Sequence, residues 1–446
     1  MTHINSDLLI AIIRENAYKI QGKPDDYDPL FELIGSAKIV LLGEATHGTH
    51  EFYYERAAIT KRLIAEYGFN AVAIEGDWPD AYRVNQYVKG DIENISADQA
   101  LDGFKRFPAW MWCNQVVLWF VEWLHDFNRP RSADAQAGFY GLDLYSLHAS
   151  MDAVIKYLNK TDPEAALRAR RRYACFDHFG INPQHYAYAT AFSGAESCEQ
   201  DVILQLHELR ECEADYLQRN SRLAADEYFF AEQNAKLVKN VERYYRLMFN
   251  RDVSSWNLRD RHMVDTLEAL DKHLTKLNGT AKIVVWAHNS HVGDARATEM
   301  GTRGEFNIGQ LVRNSYGKQA VNVGFTTYSG TVTAASDWDE PGQRRRVRPA
   351  LPGSYESLLH DVDLPAFLLK FNNQELSDEL RIPRLERAIG VVYRPDTERI
   401  SHYFVAALSE QFDAVIHFDK TRAIEPLDLT EHWQVDEEPE TYPFGI

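Results

Sequence analysis

The chain has 446 residues, more than the roughly 250–300 at which a single core stops growing, so one main domain with a sizeable second lobe is expected. Hydrophobic residues make up 45% and charged residues 26%, the balance of an ordinary folded chain, which excludes wholesale disorder. The formal net charge of -18 repels phosphate backbones and anionic lipid, so no nucleic acid and no membrane is expected as partner, and a neutral or cationic small molecule fits better.

The N-terminus, Met1 to Asp7, has no basic segment ahead of an apolar stretch, and the four cysteines, Cys113, Cys175, Cys198 and Cys212, show no Cys-x-x-Cys spacing. A reducing cytoplasm is the expected location. Charged residues interrupt every apolar run before the ~18 residues needed to span a bilayer, so no transmembrane helix is predicted.

In chain order, apolar runs rich in Val, Ile and Phe predict strands at 38–42, 71–75, 138–143, 282–287 and 320–325, with later ones at 367–370, 389–393 and 414–418. Helix-length segments between them predict an α/β fold, mainly a parallel sheet flanked by helices. From 143 to 282 only helical stretches are evident, at 196–219, 226–249 and 258–277. The expected organisation is an α/β catalytic core at 1–145 and 280–446 with a helical insertion at 146–279. That insertion suits a lid over the pocket and plain packing support equally. The basic stretch Arg344-Arg345-Arg346-Val347-Arg348 reads as a solvated surface loop.

Ligands of open α/β sheets bind beyond the carboxyl ends of the strands, which directs attention to the polar residues there. The first run ends in Gly43-Glu44-Ala45-Thr46-His47-Gly48, the second in Glu75-Gly76-Asp77, the third in Asp143 and the fourth in His288-Asn289-Ser290-His291. Any one of these is explained as a helix cap or core hydrogen-bonding group. Four strand ends carrying titratable groups predict one pocket shared by Glu44, His47, Glu75 and His288. A histidine beside a carboxylate is a general-base arrangement, so His47 with Glu44 or Glu75 is expected to activate water. No serine elbow, P-loop or dinucleotide fingerprint is present. Two His-x-x-His pairs, His47/His50 and His288/His291, are also compatible with a divalent metal, on His47, His288 and Glu75; no cofactor is expected otherwise.

The ordered segments Leu41 to Gly48, Glu51-Phe52 with Arg56, Ala73 to Gly76, Arg259 to Met263 and Ala287 to His291 resemble the erythromycin esterase family. Tyr328-Ser329-Gly330, Ser401 to Phe404 and Phe412 to Val415 extend the resemblance over nearly the whole chain. It implies hydrolysis of a carboxylic ester, a macrolactone in some members, with His47 as base, Glu44 as essential carboxylate and His288, Glu75, Arg56 and His291 in the pocket. Arg56, His291, Asp143 and Arg261 are expected to bind substrate or hold the oxyanion. The helical lobe carries no motif that aligns, so substrate choice is not legible, and neither is the oligomeric state. Two other readings keep the pocket: a metal-dependent hydrolase of an amide, peptide or phosphate-like bond, and a non-catalytic homologue with a binding role.

Overall fold

Ile39-Val40-Leu41-Leu42 and Ile283-Val284-Val285-Trp286 are apolar at every position and buried throughout, as strands covered on both faces must be. In the computed structural model, which describes residues 6–180, 183–217, 222–249, 253–429 and Trp433, they lie side by side in the middle of one sheet. The strands are β1 (Tyr18–Lys19), β2 (Ile39–Leu42), β3 (Ala71–Asp77), β4 (Gly138–Asp143), β5 (Ile283–Trp286), β6 (Ala320–Ala334), β7 (Gln343–Val347), β8 (Ala366–Lys370), β9 (Arg384–Arg387), β10 (Tyr403–Ala406) and β11 (Ala414–Thr421). Their order is β1-β8-β11-β6-β2-β5-β3-β4, with β7 on the extended end of β6 and β9-β10 forming a separate ribbon. Every pair from β11 across to β4 is parallel, whereas β8 joins β1 and β11 antiparallel.

The register carries the functional consequence. Leu42 and Ile74 each pair with Trp286, and Asp77 pairs with Asp143. The residues that follow β2, β3, β4 and β5 therefore emerge along one edge. Side chains alternate across the sheet. Leu41, Ile283 and Val285 join a core with Val154, Leu206, Val241 and Leu267 of the 146–279 segment. Val40, Leu42, Val284 and Trp286 join a second core with Ile59, Leu63 and Phe120.

Among the described residues, the stretch between β4 and β5 is helical, including Leu147–Thr161, Arg222–Leu247 and Ser254–Asn278. The stretch expected at 196–219 is broken into Glu199–Glu211 and Glu213–Tyr216, and its last two residues lie outside the described ones. No helix among the described residues is long and apolar enough to cross a membrane.

Several expectations are corrected. Residues 389–393 form no strand; Ile389 and Val392 make isolated bridges to Thr46 and Ala335, tying this segment to the loop after β2 and to the end of β6. The basic stretch is strand β7, since β6 runs on to Ala334 and offers it an edge, and Arg345 donates to the Ser336 hydroxyl. Cys175 and Cys198, 23 residues apart, form a disulfide, which removes the argument for a reducing compartment that their spacing supplied.

The loop after β2 is seated by a glycine. The carbonyl of Gly48 accepts from the amides of Thr333 and Ile424, at 3.0 and 2.8 Å. A Cβ on Gly48 would fall 1.8 Å from the Thr333 carbonyl oxygen, so only glycine allows this approach. Gly48→Ala is predicted to lower the unfolding free energy by about 1–3 kcal/mol through forced backbone displacement. Urea unfolding measures this, and an unchanged midpoint would contradict the seating.

Candidate active site

Glu44 lies two residues beyond β2, only 1% exposed, with both carboxylate oxygens engaged. Oε1 is 2.9 Å from Nδ1 of His47, and Oε2 accepts from Nη2 of Arg56 at 2.9 Å. A carboxylate only accepts, so Nδ1 of His47 carries its proton and Nε2 keeps its lone pair. Arg56 comes from the inward face of helix His50–Tyr67, with its guanidinium 4.3 Å from the Tyr53 ring and 5.3 Å from that of Trp286. It stands fully buried behind Glu44 and does not line the cavity, so the expected contact with substrate or oxyanion is corrected to a contact with Glu44.

His288 ends the turn out of β5. Its Nδ1 accepts from the Ser290 amide at 3.2 Å and meets the Ser290 hydroxyl at 2.8 Å. The ring proton therefore sits on Nε2, which is buried. Burial, reinforced by neighbouring His47, pushes His288 down to about 3, so it is a neutral donor at physiological pH. The His47 and His288 rings are 4.8 Å apart.

Of the two carboxylates offered for His47, Glu44 takes the ring and Glu75 serves other groups. Its Oε2 accepts from the backbone amide of His288 at 2.9 Å, and its Oε1 accepts from Nη2 of Arg259 at 2.8 Å. Orientation of the His47 ring falls to Glu44. Burial raises the Glu75 carboxyl, but His291 and Arg259 outweigh it and hold the group well below the usual carboxylate range. Arg259 also grips Asp143 with two bonds, at 3.0 and 2.6 Å. His291 stacks on Trp256, with ring centres 4.6 Å apart, and contacts Asp260 through Nδ1 at 2.9 Å. Burial and Arg259, whose Nη1 lies 3.1 Å from Nε2, oppose its charge, but Asp260 and Glu75 outweigh them and raise it to about 9, which favours the imidazolium at neutral pH.

Arg259 replaces Arg261 as the arginine of the pocket. Residues two apart on a helix point roughly 200° from each other, and only one of the pair can face the site. The buried stripe Asp260, Met263, Leu267, Leu270 and Leu274 gives the phase, and Arg259 adjoins it. Arg261 instead lies with its guanidinium 5.3 Å from the Phe306 ring. That phase was readable from the sequence.

These groups floor a cavity of about 410 Å³. His47, Glu75, Asp143, Arg259, His288 and His291 line it below, and Phe104, Phe107, Trp112, Tyr145, Trp256 and Trp338 wall it. The aromatic wall carried no motif and was not expected.

The two His-x-x-His pairs do not act as units. His50 opens its helix, meets Nη2 of Arg422 at 2.6 Å and does not line the cavity. Of the proposed metal set, Glu75 is occupied by nitrogen donors, and Nδ1 of His47 and of His288 are taken by Glu44 and Ser290. Two imidazole nitrogens remain where a protein site uses three or four ligands. Among the described residues no three His, Cys, Asp or Glu side chains are grouped to hold a metal ion, so the residues present do not fit one.

The chain is 23% identical to erythromycin esterase type II of Escherichia coli over 428 residues, 90% of this chain and 94% of that one. A Bacillus cereus protein of known structure superposes with a TM-score of 0.79 at 21% identity, covering 95% of this chain and all (100%) of that one. A mutant of the erythromycin esterase EreC, in its open conformation, superposes with a TM-score of 0.66 at 15% identity, covering 91% and 96% of the two chains. The model of the family described as erythromycin esterase matches residues 64–421, which include Glu75, Asp143, Arg259, His288 and His291, while the loop of Glu44 and His47 precedes that stretch. The match spans most of the sequence, and the chain belongs to the erythromycin esterase family.

Proposed function

We propose that this protein is a hydrolase that cleaves a carboxylic ester by direct attack of water activated at His47. The observation that carries this reading is the 2.9 Å contact between Nδ1 of His47 and Glu44, which leaves Nε2 as the base. Nε2 takes a proton from water, and the hydroxide so formed adds to the ester carbonyl. Negative charge develops on the carbonyl oxygen, and the neutral Nε2–H of His288, whose ring lies 4.8 Å from that of His47, is the donor for it. Glu44 stabilises the imidazolium of His47, as a carboxylate does in hydrolytic triads. Collapse of the tetrahedral intermediate breaks the bond to the alkoxide, which takes the proton back from Nε2. The products are one acid and one alcohol. No step is assigned to a metal, because the donor set does not converge. The relatives' names bring macrolactone esters forward as one substrate class to test beside simple esters.

His291, Asp260, Glu75 and Arg259 hold the backbone of His288 rather than touching the reacting bond, because Glu75 accepts from that amide. The imidazolium of His291 ties this network to pH. Its folded value, about 9, lies above the roughly 6.5 of an unfolded histidine, so its stabilisation is complete below about 6.5 and is lost as pH rises through about 9.

His47→Ala should lower kcat on an ester panel by at least ~10²-fold, and because it leaves one oxygen of the buried Glu44 without its partner it should also lower the unfolding midpoint while the fold is retained. Mass spectrometry of substrates gaining one water reads this, and an unchanged rate would defeat the mechanism. Turnover is expected to survive chelation; loss on chelation with recovery on adding zinc or manganese would favour the metal-dependent reading instead. Stability measured between pH 6 and 10 should fall toward the alkaline end as His291 is deprotonated, and His291→Asn should flatten that slope.

A further inference from the structure

A cavity of about 610 Å³, larger than the catalytic one, opens where helix Trp78–Lys89 of the core meets helices Leu147–Thr161 and Arg222–Leu247. The two cavities share no lining residue. Ala149, Asp152, Ala153, Lys156 and Lys160 recur at three- and four-residue spacing along helix Leu147–Thr161, so one face of that helix borders the space. Its small members, Ala149 and Ala153, leave room that larger side chains would fill. From the other elements Tyr82 and Phe230 stack with ring centres 3.7 Å apart, and both stay half-buried. Ile92 and Ile95, also half-buried, add a branched apolar side from the segment after helix Trp78–Lys89.

Charge sets this cavity apart. Arg83, Lys156 and Lys160 line it against Asp152 and Glu227, an excess of cation on a chain whose net charge is -18. The catalytic cavity has the opposite balance, with Glu75, Asp77, Asp80 and Asp143 against Arg106, Arg259 and His291. Lys160 is paired with Glu227 at 2.6 Å. Among the described residues no ion pair engages Arg83 or Lys156, which are exposed and stand on different helices. Asp80 feels Arg83 through space, without a bond.

We propose that this cavity is a second binding site, for a hydrophobic carboxylate whose flat or branched apolar body sits among Tyr82, Phe230, Ile92 and Ile95 and whose carboxylate meets Arg83 and Lys156. An uncharged apolar molecule would cover the rings but strip hydration from two cations without replacing it. A bare inorganic anion would meet the cations but leave the apolar surface in water. A molecule with both parts satisfies both. The arginine fork matches the two oxygens of a carboxylate, and the lysine adds a compact point charge. Small-molecule pockets of roughly 300–1,000 Å³ form preferentially at such boundaries between structural units. The site also backs onto the catalytic one: Trp78, which follows Asp77, stacks on Phe230 with ring centres 6.3 Å apart and donates from Nε1 to its carbonyl at 3.4 Å. The inference goes beyond the ester-hydrolase reading and stands without it.

Calorimetric titration of the full chain with 2-naphthylacetate, its neutral amide and acetate tests the assignment. Wild-type protein should bind 2-naphthylacetate with a Kd at least about 10-fold lower than that of the amide, the size of one charge-assisted contact, and acetate should give no measurable binding at the same concentrations. Arg83→Gln and Lys156→Gln should each weaken the carboxylate by about 5-fold or more and change the amide by less than about two-fold. Ala149→Trp should fill the cavity and remove binding of both. All three positions are exposed, so the unfolding midpoints should stay near wild type. Absence of binding, equal affinity for acid and amide, or equal losses on both in the Arg83 and Lys156 variants would overturn the assignment. Retained binding in Ala149→Trp, or isotherms like wild type in all three variants, would place the ligand elsewhere and overturn it as well.

Discussion

The site depends on one buried carboxylate. Glu44 accepts from an imidazole on one oxygen and a guanidinium on the other, and it does so with almost no exposure to water. A charge in that position is tolerated only because both oxygens are partnered. The same pairing fixes which nitrogen of His47 faces the cavity. Arg56 earns its place without touching the reaction: it keeps Glu44 in the geometry that holds the imidazole.

The fold brings the other groups to this pair through strand register. Parallel pairing of β2 with β5 and of β5 with β3 sets Leu42, Trp286 and Ile74 in one row, and the loops that leave this row supply Glu44, His288 and Glu75. The 146–279 segment is joined to the same assembly. Its apolar faces share a core with the sheet, and its last helix, Ser254–Asn278, inserts Arg259 and Asp260 beneath the loop of His288 and His291. Electrostatically the pocket has two layers, a reacting pair of histidines and a supporting ring of ion pairs that locates their backbone.

Much of this was legible from local pattern. Buried parallel strands write themselves as unbroken apolar runs, and the polar residues after them mark the site, which is why Glu44, His47, Glu75 and His288 could be named. Their partners were less accessible. Glu44 and Glu75 look equivalent beside His47 in the sequence, and only the three-residue spacing within one loop favours Glu44. Arg259 and Arg261 are separated by helical phase. The aromatic wall is gathered from several separate segments, with Phe104, Trp112, Tyr145, Trp256 and Trp338 brought together by packing at long range. Strand β7 was hidden because its arginines suit a solvated loop, and its strand character comes from the exposed end of β6. The disulfide between Cys175 and Cys198 was hidden for the same reason, since spacing alone does not reveal how helices meet.

The central claim concerns a single proton. NMR of protein labelled at the histidine ring nitrogens, assigned by comparison with His47→Ala, reads the tautomer of His47 directly. The account predicts a proton on Nδ1, coupled to Glu44, and a bare Nε2 in the resting protein. A neutral ring protonated at Nε2 and bare at Nδ1 would contradict it.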